Sequence, residues 1–384
     1  MIFKIPLAWL QLTREKIRLL VAIAGISFAD ILMFMQFGFR DALFESSVTF
    51  HSNVQGDIFL ISTQSTALIA MKPFPQRRLY QTLAFAEVAS ITPIYLGFGL
   101  WRNPENRNTR QLLVIGFNPT HQVFNLPGIQ QYQNRTKLED VVLFDADSRS
   151  EFGPIAQMFA EQGQVITEVG SRKITVEGLF NLGASFGADG NIITSDLNFL
   201  RMFPDRQKGL IDVGVIKVKP GTDIPQLVAQ IRRQLPNDVL VFSREEFVKF
   251  ERDYWENSTA IGFVFNLGAA MGFIVGLVIV YQILYTDVAD HLPEYATLKA
   301  MGYRDSYLLS VVLQEALILA IVGYLPSLGV AHVLYQLARN ATSLPMRMTL
   351  VKATQVFCLT IIMCCVSGAI AMRKLQEADP ADIF

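Results

Sequence analysis

From Ile261 to Tyr285 the chain runs for 25 residues without a charged side chain. As a helix rising 1.5 Å per residue, that stretch exceeds the ~30 Å hydrocarbon core of a bilayer. In lipid the backbone must satisfy its own polar groups, so an isolated segment of this kind crosses as a helix. Gly268, Gly272 and Gly276 recur every four residues and share one face. Small residues at this spacing let helix backbones approach closely, and these three are the expected transmembrane packing residues.

Other stretches follow the same logic. Charged residues make up 17% of the 384, against ~25% in soluble proteins, and 51% are hydrophobic. Residues 19–39 form a second span, with Asp30 at its middle. A central aspartate costs ~3 kcal/mol on insertion scales and each large apolar residue returns ~0.3 to 0.6, so the sum favours insertion if Asp30 faces a polar partner. Ala22-Ile23-Ala24 mimics a leader-peptide cleavage site but precedes most of the apolar run, which reads as an uncleaved span. Residues 306–338 exceed one crossing, so Glu315 is expected at the inner interface and Pro326 at a kink. The last span occupies 351–372. Lys4, Arg14, Lys16 and Arg18 precede the first span and Arg373 and Lys374 follow the last, which places both termini in the cytoplasm.

The expected fold is an α-helical membrane protein with four transmembrane helices and a large α+β periplasmic domain between the first and second. Its parts are a cytoplasmic amphipathic N-terminal helix at 1–18, helix 1 at 19–39, the periplasmic domain at 40–257 and helix 2 at 258–285. A cytoplasmic loop at 286–305, helix 3 at 306–338, a short periplasmic loop at 339–350, helix 4 at 351–372 and a tail at 373–384 complete it. In the domain, strands are expected at 57–62, 111–117, 141–144, 173–179, 191–194 and 212–218, and helices at 74–85, 155–161, 224–234 and 244–254.

Several chemistries are excluded. A net charge of −1 gives no basic field for nucleic acid. The cysteines Cys358, Cys364 and Cys365 all lie in the last span, and the four histidines have no metal-ligand spacing, so no cofactor or metal is expected on this chain. Gly183-Ala184-Ser185-Phe186-Gly187 fits the nucleophile-elbow pattern of a membrane-anchored hydrolase. That pattern needs a helix after the serine and a histidine after an acid; here a turn follows, and His51 and His121 both precede Ser185. A glycine-rich hairpin is the plainer reading.

The cytoplasmic loop holds a short helix. Pro293 opens it, Glu294 lies in its first turn, Lys299 near its last and Gly302 ends it. Tyr295, Leu298 and Met301 at i, i+3 and i+6 form an apolar stripe that must lie against something. This stretch resembles the Glu-Ile-Gly-x-x-Arg-Ala-x-Gly segment after the second span in ABC permeases of the MacB, LolC/LolE and FtsX superfamily. Glu294, Leu298, Ala300 and Gly302 match the pattern, Lys299 replaces its arginine and Tyr295-Ala296 its Ile-Gly. The resemblance implies a coupling helix that docks Glu294, Tyr295, Leu298, Lys299, Met301 and Gly302 into a groove on a separate ATPase.

The order of one span, a large external domain and three spans resembles the same superfamily along the whole chain. There is no Gly-x-x-x-x-Gly-Lys-[Ser/Thr], so ATP and Mg are expected on the partner. Residues 24–36 and the ending Asp379-Pro380-Ala381-Asp382-Ile383-Phe384 resemble the cyanobacterial DevC permeases. That resemblance implies a homodimer in the inner membrane, two copies of a DevA-type ATPase, a DevB-type periplasmic adaptor, a TolC-like outer-membrane channel and a lipid or glycolipid substrate. The competing expectation is an FtsX-like regulator that transmits the same motion to a periplasmic enzyme without transporting anything.

Overall fold

A computed structural model describes residues 16–342 and 344–376. Most of the amphipathic segment expected at 1–18, and the end of the chain beyond residue 376, lie outside the described residues. The chain divides into two bodies, a helical one built from residues up to 42, 261–342 and 346 onward, and a domain over 43–260.

Among the described residues, the helical body contains four helices long and apolar enough to cross a membrane. They are α1 (Lys16–Ser47), α9 (Ala260–Asp290), α11 (Asp305–Thr342) and α12 (Leu350–Gln376). Each overruns the span read from the sequence, because helical backbone continues into polar residues that hydropathy excludes. α11 runs through Pro326 without a break in assignment. Small side chains set the packing: Ala22, Ile26 and Ala29 of α1 are buried with Val280 and Leu284 of α9, Ala316 and Ala320 of α11, and Met363 of α12. The short α10 (Leu292–Ala300) lies between α9 and α11 in sequence.

The domain begins with α2 (Thr49–Asn53) and ends with α8 (Arg244–Asn257). Its centre is a nine-stranded mixed sheet in the order β11-β1-β10-β3-β4-β8-β5-β7-β6. These strands are β1 (Ile58–Ser62), β3 (Val88–Arg102), β4 (Thr109–Phe117), β5 (Val141–Asp145), β6 (Val165–Val169), β7 (Arg172–Phe180), β8 (Asn191–Ser195), β10 (Val213–Val218) and β11 (Val239–Ser243); β2 (Phe74–Pro75) and β9 (Leu210–Ile211) pair separately. Neighbours are mostly antiparallel, with β4–β8 and β5–β7 parallel. Both faces are covered. Ile58 and Leu60 enter one core with Leu112 and Val114, while Phe59 and Ile61 enter another with Leu113 and Ile115. Alternation of side chains across a strand explains why Ile58-Phe59-Leu60-Ile61 reads as an unbroken apolar run.

The remaining helices, α3 (Arg77–Gln81), α4 (Pro127–Tyr132), α5 (Ile155–Gln162), α6 (Asp196–Met202) and α7 (Ile224–Gln234), lie along the chain between strands. The helix expected at 74–85 is instead a strand residue pair, a helix over Arg77–Gln81 and a 3-10 turn over Thr82–Ala84. The longest strand, β3, was not among the expected ones. Pro93, Gly97 and Gly99 break its pattern, yet the two glycines are where Phe203, Phe199 and Val169 press on the sheet.

Candidate functional site: the coupling helix and its supports

Local chemistry makes α10 a discrete unit. Pro293 occupies its first turn with Glu294, and Lys299 lies in the last. Gly302 has φ +92, a conformation that suits glycine. The N–H of Gly302 donates to Lys299 O at 3.0 Å and that of Tyr303 to Leu298 O at 3.1 Å. These two bonds are the Schellman pair, which satisfies the last carbonyls and turns the chain sharply into α11.

The apolar stripe, however, does not face outward. Tyr295 is only 2% exposed and packs with Val288 of α9, Leu308 and Val312 of α11 and Met372 of α12, with Leu298 half-buried in the same cluster. The expectation that Tyr295 enters a partner's groove is therefore corrected: it ties α10 to the ends of three apolar helices. A stripe at i and i+3 shows that a helix face is covered without showing what covers it. Met301 lies past the helix end and is 64% exposed, beside the exposed Glu294, Lys299 and Gly302. Two aromatics not anticipated from sequence join this surface: Tyr303 and Tyr307, both exposed, pack with ring centroids 4.8 Å apart and planes inclined at 40°. Their i, i+4 spacing was the available signal.

Charged groups gather behind α10. The Arg18 guanidinium contacts Asp290 at 2.5 Å and Asp287 at 3.7 Å, and His291 Nδ1 hydrogen-bonds the Asp287 carbonyl at 2.9 Å. Glu315 is fully enclosed against Asp287. It lies within the helix contacts, at the end of α9 where Arg18 and Asp290 also meet.

Asp30 is also fully buried. Thr360 Oγ1 of α12 lies 2.7 Å from one carboxylate oxygen and Ser327 Oγ of α11 lies 3.2 Å from the other. Both hydroxyls also reach carbonyls of their own helices. The aspartate thereby joins the first apolar helix to the third and fourth.

The glycine face of α9 packs on α1. A Cβ on Gly268 would meet Gln36 and one on Gly272 would meet Leu32, Met33 and Ala29. A Cβ on Gly276 would strike Met363 and come within 2.7 Å of the Ala29 Cβ.

In the soluble domain Ser185 is not poised for catalysis. Its Oγ accepts the Ala188 N–H at 3.0 Å and its own N–H donates to Ala188 O at 2.8 Å, closing a tight turn. A buried pair that the scattered histidines did not suggest joins α2 to α8. His51 Nε2 lies 3.5 Å from Glu251 Oε2, both essentially without exposure. Glu251 accepts N–H bonds from Leu68 at 2.7 Å and the Trp255 indole at 2.8 Å. Phe247 lies against the His51 ring at 4.4 Å between centroids. Burial pushes the imidazole down to about 3 and the carboxyl up to about 7.

Comparison with known families now bears on this arrangement. Residues 19–234 match the MacB-like periplasmic core domain, and residues 266–380 match the FtsX-like permease C-terminal domain. The chain is an ABC transporter permease of the MacB/FtsX-like family. An uncharacterized ABC transporter permease of Mycobacterium tuberculosis strain H37Rv is 21% identical over 85% of this chain and 84% of its own length, and its counterpart in strain CDC 1551 is likewise 21% identical over the same shares. Among solved structures, the periplasmic region of MacB from Actinobacillus actinomycetemcomitans is similar at 10% identity, with 54% of this chain and 96% of that chain covered and a TM-score of 0.35. The extracellular domain of YknZ from Gram-positive bacteria gives 13%, 48%, 99% and 0.33. For a permease of this family, membership implies an ATPase partner.

Proposed function

We propose that this permease is the membrane subunit of a mechanotransmission exporter. The observation that carries the reading is the packing of α10, whose inner residue Tyr295 is fixed to α9, α11 and α12 while Met301, Glu294 and Lys299 point away. A helix held in that manner cannot be displaced by a partner without moving the helix ends to which it is fixed. Two copies of the permease and two DevA-type ATPase subunits form the working unit, with ATP and Mg on the ATPases. Both termini lie in the cytoplasm and the domain at 43–260 lies outside the inner membrane.

On this reading ATP-driven closure pushes α10, tilts α9 and moves the external domains. Asp30, held by Thr360 and Ser327, and the glycine face of α9 keep the four helices moving as one body. The cargo is a lipid or glycolipid, passed through a DevB-type adaptor to a TolC-like channel. The resemblance of the first span and the chain ending to DevC permeases supports that class. The test is purification of the full-length permease from its native membrane. Recovery of an ATPase, a periplasmic adaptor and a bound lipid seen by mass spectrometry supports the exporter. Recovery of a periplasmic hydrolase with the ATPase, and no lipid, sinks it in favour of a regulator.

A further inference from the structure

The soluble domain carries an aromatic edge that the coupling site does not use. Three segments converge there. The 3-10 turn Leu68–Ala70 is pinned by the bond from Leu68 N–H to Glu251, and Trp255, one turn along α8, is pinned to the same carboxyl. Phe186, in the loop before β8, stands edge-on to Trp255 with centroids 4.7 Å apart. A Cβ on Gly187 would come within 2.7 Å of Ile69 Cγ2, so the loop lies against the turn because that residue is glycine. Trp255 is buried by this arrangement, but Phe186 and Ile69 remain 42% and 40% exposed.

Strand polarity identifies this end of the domain. β1 runs toward the edge, since the Leu68–Ala70 turn follows it, and β8 runs away, since the Phe186 loop precedes it. α8 runs toward the edge and stops at Asn257, and α9, which carries no charge over residues 261–285, begins at Ala260. Trp255 is therefore at most five residues, roughly 18 Å of extended chain, from the start of that helix. Phe and aliphatic side chains on a membrane-facing surface gain by burial at the boundary between headgroups and acyl chains. Lys72, exposed just beyond the turn, supplies a cation for lipid phosphate.

We propose that Phe186 and Ile69 form a lipid-contacting edge of the soluble domain, seated in the outer leaflet of the bilayer that α9 crosses. The inference rests on α9 spanning that bilayer. The contact steadies the domain against the membrane surface.

The test is photocrosslinking of the full-length permease in nanodiscs of radiolabelled phosphatidylglycerol, with benzoylphenylalanine placed in turn at Phe186, Ile274 and Leu197. Ile274 is an exposed position of α9, and Leu197 is equally apolar and exposed but follows β8 at its other end. The expected result is a lipid adduct at 186 comparable to that at 274 and about tenfold above that at 197. A yield at 186 no higher than at 197, with 274 labelled, overturns the proposal alone. Failure at 274 overturns the spanning reading and the proposal with it. Crosslinking of 186 into a dimer or another protein, without lipid, shows a protein occupant and also overturns it.

Discussion

The two faces of α10 make opposite predictions. Tyr295 is buried against Val288, Leu308, Val312 and Met372, so Tyr295→Ala removes an aromatic ring from a closed cluster. Such truncations cost about 3 to 5 kcal/mol in a well-packed core, which shifts the docked-to-undocked ratio of α10 by a hundredfold or more. The exposed surface of the helix is untouched, so the variant should bind the ATPase within a few-fold of wild type while losing ATP-dependent transport and melting earlier in detergent. Met301→Asp should behave in reverse. Its side chain is 64% exposed, so the free permease keeps its melting temperature. Burying a methionine in a partner's groove is worth ~1.5 to 3 kcal/mol, and an aspartate there also strands a charge, so ATPase binding should weaken at least tenfold. The assays are biolayer binding of the purified ATPase, stimulation of its hydrolysis, and thermal unfolding of each variant. If Tyr295→Ala abolishes binding at unchanged melting temperature while Met301→Asp binds normally, inner and outer faces have been assigned the wrong way round.

Three further outcomes are expected. Gly276→Ala should cost ~1 to 3 kcal/mol in thermal unfolding, since its Cβ meets Ala29 and Met363, whereas Gly272→Ala, with neighbours no nearer than 3.4 Å, should be close to neutral; equal effects would mean the glycine face is incidental. A cysteine at Glu105 should react with an impermeant maleimide from outside the cell and one at Ala378 only after permeabilisation, and the reverse pattern would end the exporter reading. In the buried pair, Glu251 has a raised pKa, so its stabilisation is full below pH 4.5 and is lost as pH climbs to about 7; His51 has a lowered pKa, so its stabilisation is present above pH 6.5 and is lost as pH falls toward 3. The two slopes oppose each other between pH 4.5 and 6.5. His51→Gln should therefore melt lower as pH rises through that window and Glu251→Gln should melt higher, each by up to ~1.4 kcal/mol per pH unit, and slopes of the same sign would disprove the assignment.

Much of the fold was legible because two periodicities suffice for it. The four apolar helices follow from length and hydropathy, and β1, β4 and β5 from short β-branched runs between turns. β3 was not, since Pro93, Gly97 and Gly99 look like breakers locally and are required only by the aromatic side chains that the tertiary fold brings against them. In the site, Pro293, Glu294 and Gly302 announced α10 because start and stop signals are local. The direction of its stripe was not local. Tyr295 meets Val288, Leu308, Val312 and Met372 from three helices separated in sequence, and no window of residues contains that information. The His51–Glu251 pair was hidden for the same reason, its members being 200 residues apart.

Two sets of buried polar groups, one in each body, lie between helices that the chain connects only at a distance. Asp30 bonds Thr360 and Ser327, so α1 meets α11 and α12 through groups that have no equivalent partners in lipid; replacing any of them leaves an unpaired polar group, which costs more than the bond itself contributes. In the domain, His51 and Glu251 join α2, one residue beyond the end of α1, to α8, which stops two residues before α9 begins. The chain leaving the first apolar helix and the chain entering the second thus pack on each other inside the domain, while Ala29, Leu32 and Met33 pack against the glycine face that α9 turns to α1.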